Sequence, residues 1–167
     1  PAAVGRAKRP AVMLEKPVED SDADTHYDLG IAYKEMGLWD EAIKAFDKVA
    51  GAPGRAVQCR LMIGLCHRSA GNPSEAVHQF KIGLHEPSVT DREKQSLFYE
   101  IGVAYEELGD PREALYYLEM VVKRDPAFLD ASERAQRLRG AAGGGRARPR
   151  QASDDPDGAI ESLLADD

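Results

Sequence analysis

The side chains best suited to chemistry in this 167-residue chain are two cysteines and four histidines. Cys59 and Cys66 fall seven residues apart. On a helix, at about 1.5 Å rise per residue, that spacing sets their Cα atoms about 10 Å apart, beyond disulfide reach. A metal site would need two further ligands. His67 adjoins Cys66, but adjacent residues on a helix diverge by about 100°. The pair therefore reads as small buried apolar side chains facing the second helix of their own hairpin. Unpaired thiols favour a reducing compartment, so a cytoplasmic location is expected. His26, His67, His78 and His85 are spread along the chain rather than clustered. Gly143-Gly144-Gly145 lacks the following Lys and Ser/Thr of a phosphate loop. Neither a nucleophile elbow nor a paired-histidine zinc motif occurs. The acid pairs Glu106-Glu107 and Asp154-Asp155 read as solvated faces. No catalytic set, metal site or cofactor site is expected, so the chain is not expected to be an enzyme.

Charge narrows the partner classes. Acidic residues outnumber basic ones, 29 to 22, and the net charge is −7. The small basic clusters, Arg6, Lys8 and Arg9 near one end and Arg146, Arg148 and Arg150 near the other, lie outside the patterned middle. A phosphate-neutralising protein usually shows a basic face, so nucleic acid is not an expected partner. No apolar run approaches the roughly 20 residues of a membrane span, and direct membrane insertion is not expected. The chain starts at Pro1 and reads as a fragment or processed form.

The elements behind these residues show in a recurring pattern. Glycine appears inside helical sequence as Leu29-Gly30 followed by Tyr33, Ile63-Gly64 followed by His67, and Ile101-Gly102 followed by Tyr105. Each is followed at fixed distances by a second glycine, a Glu-Ala pair and a large apolar residue. These are Gly37, Glu41-Ala42 and Phe46; Gly71, Glu75-Ala76 and Phe80; and Gly109, Glu113-Ala114 and Leu118. A mid-helix glycine costs about 1 kcal/mol relative to alanine, so three at matching positions need a packing reason. Close approach of two antiparallel helices supplies one, because a larger side chain would hold them apart. Helix starts are marked too. Asn72-Pro73-Ser74-Glu75 and Asp110-Pro111-Arg112-Glu113 each put an N-cap acceptor before a first-turn proline, and Thr90-Asp91-Arg92-Glu93 is a capping box. Helices are predicted from about 22–24 to 36, from 40 to 50 and from 56 to 70. A last one, from Phe128 to Leu138, presents Phe128, Ala131, Ala135 and Leu138 on one face, with Glu133, Arg134, Gln136, Arg137 and Arg139 pointing away.

The first two glycines are 34 residues apart, and the third follows at 38. A 34-residue helix-turn-helix period with this Gly, Tyr, Ala, Phe, Pro pattern resembles the tetratricopeptide repeat. The resemblance implies an all-α fold in which hairpins stack as a short right-handed superhelix, an α-solenoid. Its frame sets repeats at 23–56, 57–90 and 95–128 within a domain spanning 22–139, with a capping helix at 128–138. The four extra residues, Asp91 to Lys94, add a turn to the third unit's first helix. Pro126 falls where the family favours a helix-stopping proline; Pro53 and Pro87 come one residue early. His26 and His67 occupy positions normally given to packing aromatics and read as core or boundary residues. Trp39 sits in the turn between helices and reads as packing rather than as a recognition hot spot. By composition, residues 1–21 are a disordered linker, 140–157 a flexible tether, and 158–167 a short amphipathic segment with Ile160, Leu163 and Leu164 on one side.

In this family the first helix of each unit lines a concave groove through its second, fifth, ninth, twelfth and thirteenth positions. Carried over, unit one offers Asp24, Tyr27, Ile31, Lys34 and Glu35; unit two offers Gln58, Leu61, Leu65, Arg68 and Ser69; unit three offers Ser96, Tyr99, Val103, Glu106 and Glu107. The candidate partner-binding residues are Tyr27, Ile31, Lys34, Leu61, Leu65, Arg68, Tyr99, Val103 and Glu106. The fifth and ninth positions are apolar in every unit, an apolar strip with a charged rim suited to an amphipathic helix or an extended apolar peptide. Alternatively, tails or neighbouring helices cover some of these six. Relatives that clamp a terminal carboxylate do so with Lys, Asn and Arg; the corresponding places here hold Tyr27, Ile31, Met62, Ser96 and Glu100, so no such clamp is expected. The resemblance thus implies a non-catalytic interaction module or scaffold with a protein or peptide partner, part of a larger assembly. It is similar in texture to bacterial repeat proteins of pilus, secretion or motility machines. Two alternatives stand beside it: an adaptor whose C-terminal segment occupies its own groove, and an RNA-binding helical repeat. The oligomeric state is left open.

Overall fold

The computed structural model describes residues 20–142. Seven helices follow in order: α1 Asp20–Glu35, α2 Trp39–Val49, α3 Ala56–Ser69, α4 Pro73–Leu84, α5 Asp91–Glu107, α6 Pro111–Arg124 and α7 Ala131–Ala142. No strand occurs among the described residues. Each helix packs on the next, and α3 also touches α5. The result is an all-α helical-repeat solenoid of three hairpins and a closing helix. The tether beyond Ala142 and the Ile160-Leu163-Leu164 segment lie outside the described residues, as does the N-terminal linker apart from Asp20 and Ser21.

Three turns fold the hairpins with one device. Gly37, Gly71 and Gly109 all adopt positive φ, 74°, 83° and 74°, where glycine carries no Cβ penalty. Around each, two backbone bonds close the helix end: Leu38 N–H donates to the Tyr33 carbonyl at 2.9 Å and Gly37 N–H to that of Lys34 at 3.1 Å. The same pair recurs as Asn72 to His67 and Gly71 to Arg68, and as Asp110 to Tyr105 and Gly109 to Glu106. This is the Schellman arrangement, which satisfies carbonyls a helix end would otherwise leave unpaired.

The mid-helix glycines sit where the packing argument requires. A methyl group on Gly30 would lie 2.6 Å from the Phe46 ring, and one on Gly102 would lie 2.8 Å from Leu118 Cγ. At Gly64 the overlap, with Phe80, would be closer still. Ala42, Ala76 and Ala114 are fully buried. The large residue four positions after each alanine thus fills the space that the missing Cβ leaves. Gly83, which the glycine pattern did not include, plays a related part between hairpins. Its missing side chain admits Leu97 of α5 and Arg60 of α3, at 3.3 and 3.4 Å from where a Cβ would stand.

Several local expectations change. Thr90 and Glu93 form the full capping box, and Asp110 accepts from Glu113 N–H at 3.2 Å, but Asn72 makes no side-chain cap bond. α1 starts at Asp20, about a half-turn early. α7 starts at Ala131 rather than Phe128 and continues through Gly140 to Ala142. The later start follows from a six-residue turn: Asp125 Oδ1 accepts from Ala127 N–H at 2.9 Å, Leu129 takes φ +44°, and Ser132 Oγ donates to the Pro126 carbonyl at 2.7 Å. Arg139 holds the far end through a 2.8 Å ion pair with Glu119 on α6.

Cys59 and Cys66 are buried and unbridged, but they do not face α4. They pack with Ala42, Phe46 and Val49 of α2. The physical reason is geometry around α3, where the glycine side abuts the unit's own second helix. The third, seventh and tenth positions, Cys59, Ile63 and Cys66, turn to the preceding hairpin. Burial pushes both thiols up to about 11. Trp39 is partly buried against the same cluster, and His26 and His67 are half-buried.

Candidate functional site

The first helices of the hairpins lie side by side, and charged pairs link them in series. Asp24 of α1 pairs with Arg55, the residue before α3. Arg68 of α3 pairs with Glu100 and, through Nε at 3.3 Å, with Glu107 of α5. Glu106 of α5 pairs with Arg134 and, at 3.5 Å, with Arg137 of α7. Helix α7 therefore stands in the row as a fourth first helix. Counting 34 residues on from Gln95 sets a fourth unit at Leu129. Its third, seventh and tenth positions are Ala131, Ala135 and Leu138, the residues that pack on the main cluster. The sequence reading turned Arg134 and Arg137 away from the stack; the structure turns both onto α5. Extending the repeat count past unit three would have found them.

Along this row the candidate residues divide into two groups. In α1 and α3, Tyr27, Ile31, Leu61 and Leu65 are half-buried, seated on the core and showing their outer edges to solvent. The Tyr27 ring meets Phe46 edge-on at 5.4 Å and carries the Arg55 guanidinium 4.8 Å above it, a cation–π contact. Burial, foremost, raises the Tyr27 hydroxyl above its usual pKa. Lys34 is half-buried and has no ion pair among the described residues. In α5 Tyr99 is half-buried as well, and it and Glu106 are engaged by α7 and the turn before it. Val103 is buried at 6% exposure. Tyr99 donates its hydroxyl proton to Asp130 Oδ1 at 2.6 Å and meets Phe128 edge-on at 5.8 Å. Glu106 is tied to α7. Burial and the bond to Asp130 hold the Tyr99 hydroxyl above its usual pKa, while that bond and Arg134 hold the Asp130 carboxyl below its own. Of the six-residue strip, Tyr99 is thus partly covered by the turn before α7.

Arg68 belongs to both groups: it stands on the groove-lining side of α3 but is engaged by α5. Its partner Glu100, at the sixth position of unit three, is also half-buried. Burial raises the Glu100 carboxyl above its ordinary pKa, with Arg68 opposing. No group of His, Cys, Asp and Glu that could hold a metal ion occurs among the described residues. No described helix is long and apolar enough to cross a membrane.

Family models described as tetratricopeptide repeat match residues 27–83 and 96–127, together over half of the chain. Among solved structures, the first TPR of Spaghetti (RPAP3) bound to the HSP90 peptide SRMEEVD superposes with a TM-score of 0.65. It is 18% identical, with 76% of this chain and 98% of that one covered. PcrH from Pseudomonas aeruginosa gives 0.60 at 18% identity, covering 81% and 100%. The Yersinia enterocolitica type III secretion chaperone SycD, in complex with a peptide of the translocator YopD, gives 0.60 at 16%, covering 77% and 95%. At these identities the likeness speaks for the fold. No curated protein matches the sequence.

Proposed function

This chain belongs to the tetratricopeptide repeat family, and on that premise we propose that it is a non-catalytic interaction module. It takes an apolar or amphipathic peptide of a protein partner across α1 and α3. The observation that carries this reading is the row Tyr27, Ile31, Leu61 and Leu65, apolar and half-open, beside a Lys34 with no ion pair among the described residues. Structural neighbours hold peptides, among them the HSP90 peptide on RPAP3 and the YopD peptide on SycD. The carboxylate-binding set is not reproduced: Tyr27, Ile31, Met62, Ser96 and Glu100 stand in its place, and Glu100 already pairs with Arg68. Recognition therefore rests on apolar side chains set into the groove, with Lys34 available to an acidic residue beside them. The reading also makes α7 a wall rather than a binding element, since its fifth and ninth positions are Glu133 and Arg137.

Selection from a random peptide display library against the full chain tests this reading. Enrichment of apolar residues at i, i+3 or i+4 spacing, with an acid nearby, is expected. Joint replacement Leu61→Glu and Leu65→Glu is expected to weaken a selected peptide at least about tenfold, with the far-UV circular dichroism unchanged. Full affinity in that variant would move the site off this face.

A further inference from the structure

Charge links across the creases between neighbouring first helices follow one rule in this fold. The residue at the twelfth position of a unit pairs with the next first helix. Arg68 on α3 reaches Glu100 and Glu107, the sixth and thirteenth positions of unit three. Glu106 on α5 reaches Arg134 and Arg137, the sixth and ninth positions counted from Leu129. The sign reverses from one crease to the next, but both are closed. In the crease between α1 and α3 the twelfth position is Lys34, and unit two offers Met62, Leu65 and Ser69 at the sixth, ninth and thirteenth. None of the three carries a charge. Arg55 closes the other end of this crease with Asp24, while the half-buried Lys34 has no ion pair among the described residues. Its charge is nonetheless felt on α3, where it opposes the burial that pushes the Cys66 thiol up. Met62 is partly buried against the cluster that joins α1 and α2 to α3.

Resting on the reading of α1 and α3 as the peptide-binding face, we propose that the bound peptide supplies the missing partner. An Asp or Glu side chain of the peptide seats in the crease beside Lys34 and Met62, where Ser69 can donate its hydroxyl proton to the same carboxylate. One cation and one hydroxyl match a single negative charge. Desolvation selects this occupant over a wholly apolar one. A peptide that covers the crease strips water from the Lys34 ammonium, and only an anion beside it offsets that loss. The ligand class is therefore an apolar peptide with an internal acid, not one recognised by its terminal carboxylate. A regulatory consequence follows. Touching Lys34 of α1 and Ser69 of α3 at once, the acid ties the first hairpin to the second as Glu100 ties α5 to α3, so binding tightens the end of the stack with the smaller core.

The test uses the tightest peptide selected by display against the full chain, made with an amidated C-terminus, and analogues in which each acid is replaced by its amide. One such replacement is expected to weaken binding to the wild-type chain about tenfold. That penalty should persist in Lys34→Arg. It should fall below about twofold in Lys34→Met and, independently, in Met62→Glu, which gives Lys34 a partner from within the fold. The acidic peptide should also slow hydrogen exchange of α1 amides more than its amide analogue does. Selected peptides that are apolar but lack an acid would overturn the proposal and leave the groove standing. So would an equal penalty in wild type, Lys34→Met and Met62→Glu with circular dichroism unchanged. Binding lost on C-terminal amidation would overturn it as well, because a terminal carboxylate would then be the anion. Failure of the groove itself has a different signature: Leu61→Glu with Leu65→Glu would keep full affinity for both members of the peptide pair.

Discussion

The two ends of the stack solve the same problem differently. At the C-terminal end, α7 repeats the buried positions of a first helix with Ala131, Ala135 and Leu138, so α6 has a partner and the solenoid is closed. Its outward positions carry Glu133, Arg134 and Arg137, and two of these reach back to Glu106. At the N-terminal end, α1 has no described helix before it, and its fifth and ninth positions, Tyr27 and Ile31, stay apolar and half-open. The core follows the same gradient: fourteen buried residues in the cluster spanning α3 to α7, against seven in the one joining α1 and α2 to α3. Closure thus falls at one end, and the proposed recognition surface at the other.

The largest effects should come from the interhelical glycines, and they should differ by end. Gly102→Leu drives a side chain into Leu118 within the larger cluster; Gly30→Leu does the same to Phe46 in the smaller one. Each is expected to cost about 1–3 kcal/mol or more by overpacking. Gly102→Leu should lower the main thermal transition. Gly30→Leu should instead split off an early transition that removes only the helical signal of the first hairpin. Melts that superimpose on wild type would count against the repeat register. Identical single transitions for both variants would remove the distinction between the ends.

Next comes the link between the halves. Arg68→Ala leaves the half-buried Glu100 without this cation, with an expected cost of about 1 kcal/mol at neutral pH. Glu100 has a raised carboxyl pKa, so the folded chain holds that proton more tightly than the unfolded chain does. Its penalty is present where the carboxylate is charged and fades as pH falls through the raised value. Losing Arg68 raises it further. The difference between Arg68→Ala and wild type should therefore shrink as melts are taken from pH 7 into acid; a difference that widens in acid would contradict this.

The smallest effect is at the closed end's rim. Asp130→Asn keeps an acceptor for the Tyr99 hydroxyl but loses the charge beside Arg134. The side chain is 42% exposed, so screening leaves a few tenths of a kcal/mol. Because the Asp130 carboxyl is held below its usual value, that stabilisation is present above the ordinary Asp pKa of about 3.9 and is lost as pH falls through the lowered one. Wild type and variant should melt together in strong acid and separate slightly at pH 6; separation in the opposite order would exclude the Tyr99–Asp130–Arg134 arrangement.

The hairpins were legible because their determinants are local and repeated. The residues Gly30, Gly64 and Gly102 mark the close approach of paired helices, and Gly37, Gly71 and Gly109 mark the turns. The face of α3 that holds Cys59 and Cys66 was misread because a helix has two buried sides in a stack, and a single hairpin shows only one of them. The fate of Tyr99, Val103 and Glu106 depends on a helix that begins 24 residues after Glu107, so periodicity within α5 carries no trace of it. Arg134 and Arg137 looked like solvent-facing charge because their partners, Glu106 among them, lie on a different helix. The repeat count continued past unit three is the signal that would have recovered them.

The division between the two ends is tested most directly by backbone amide shifts of the full chain titrated with a selected apolar peptide. Perturbations are expected to concentrate at and around Tyr27, Ile31, Lys34, Leu61 and Leu65, with Tyr99, Val103, Glu106 and α7 nearly unmoved. Shifts centred on Tyr99, Val103 and Arg137, with Ile31 and Leu61 silent, would contradict it.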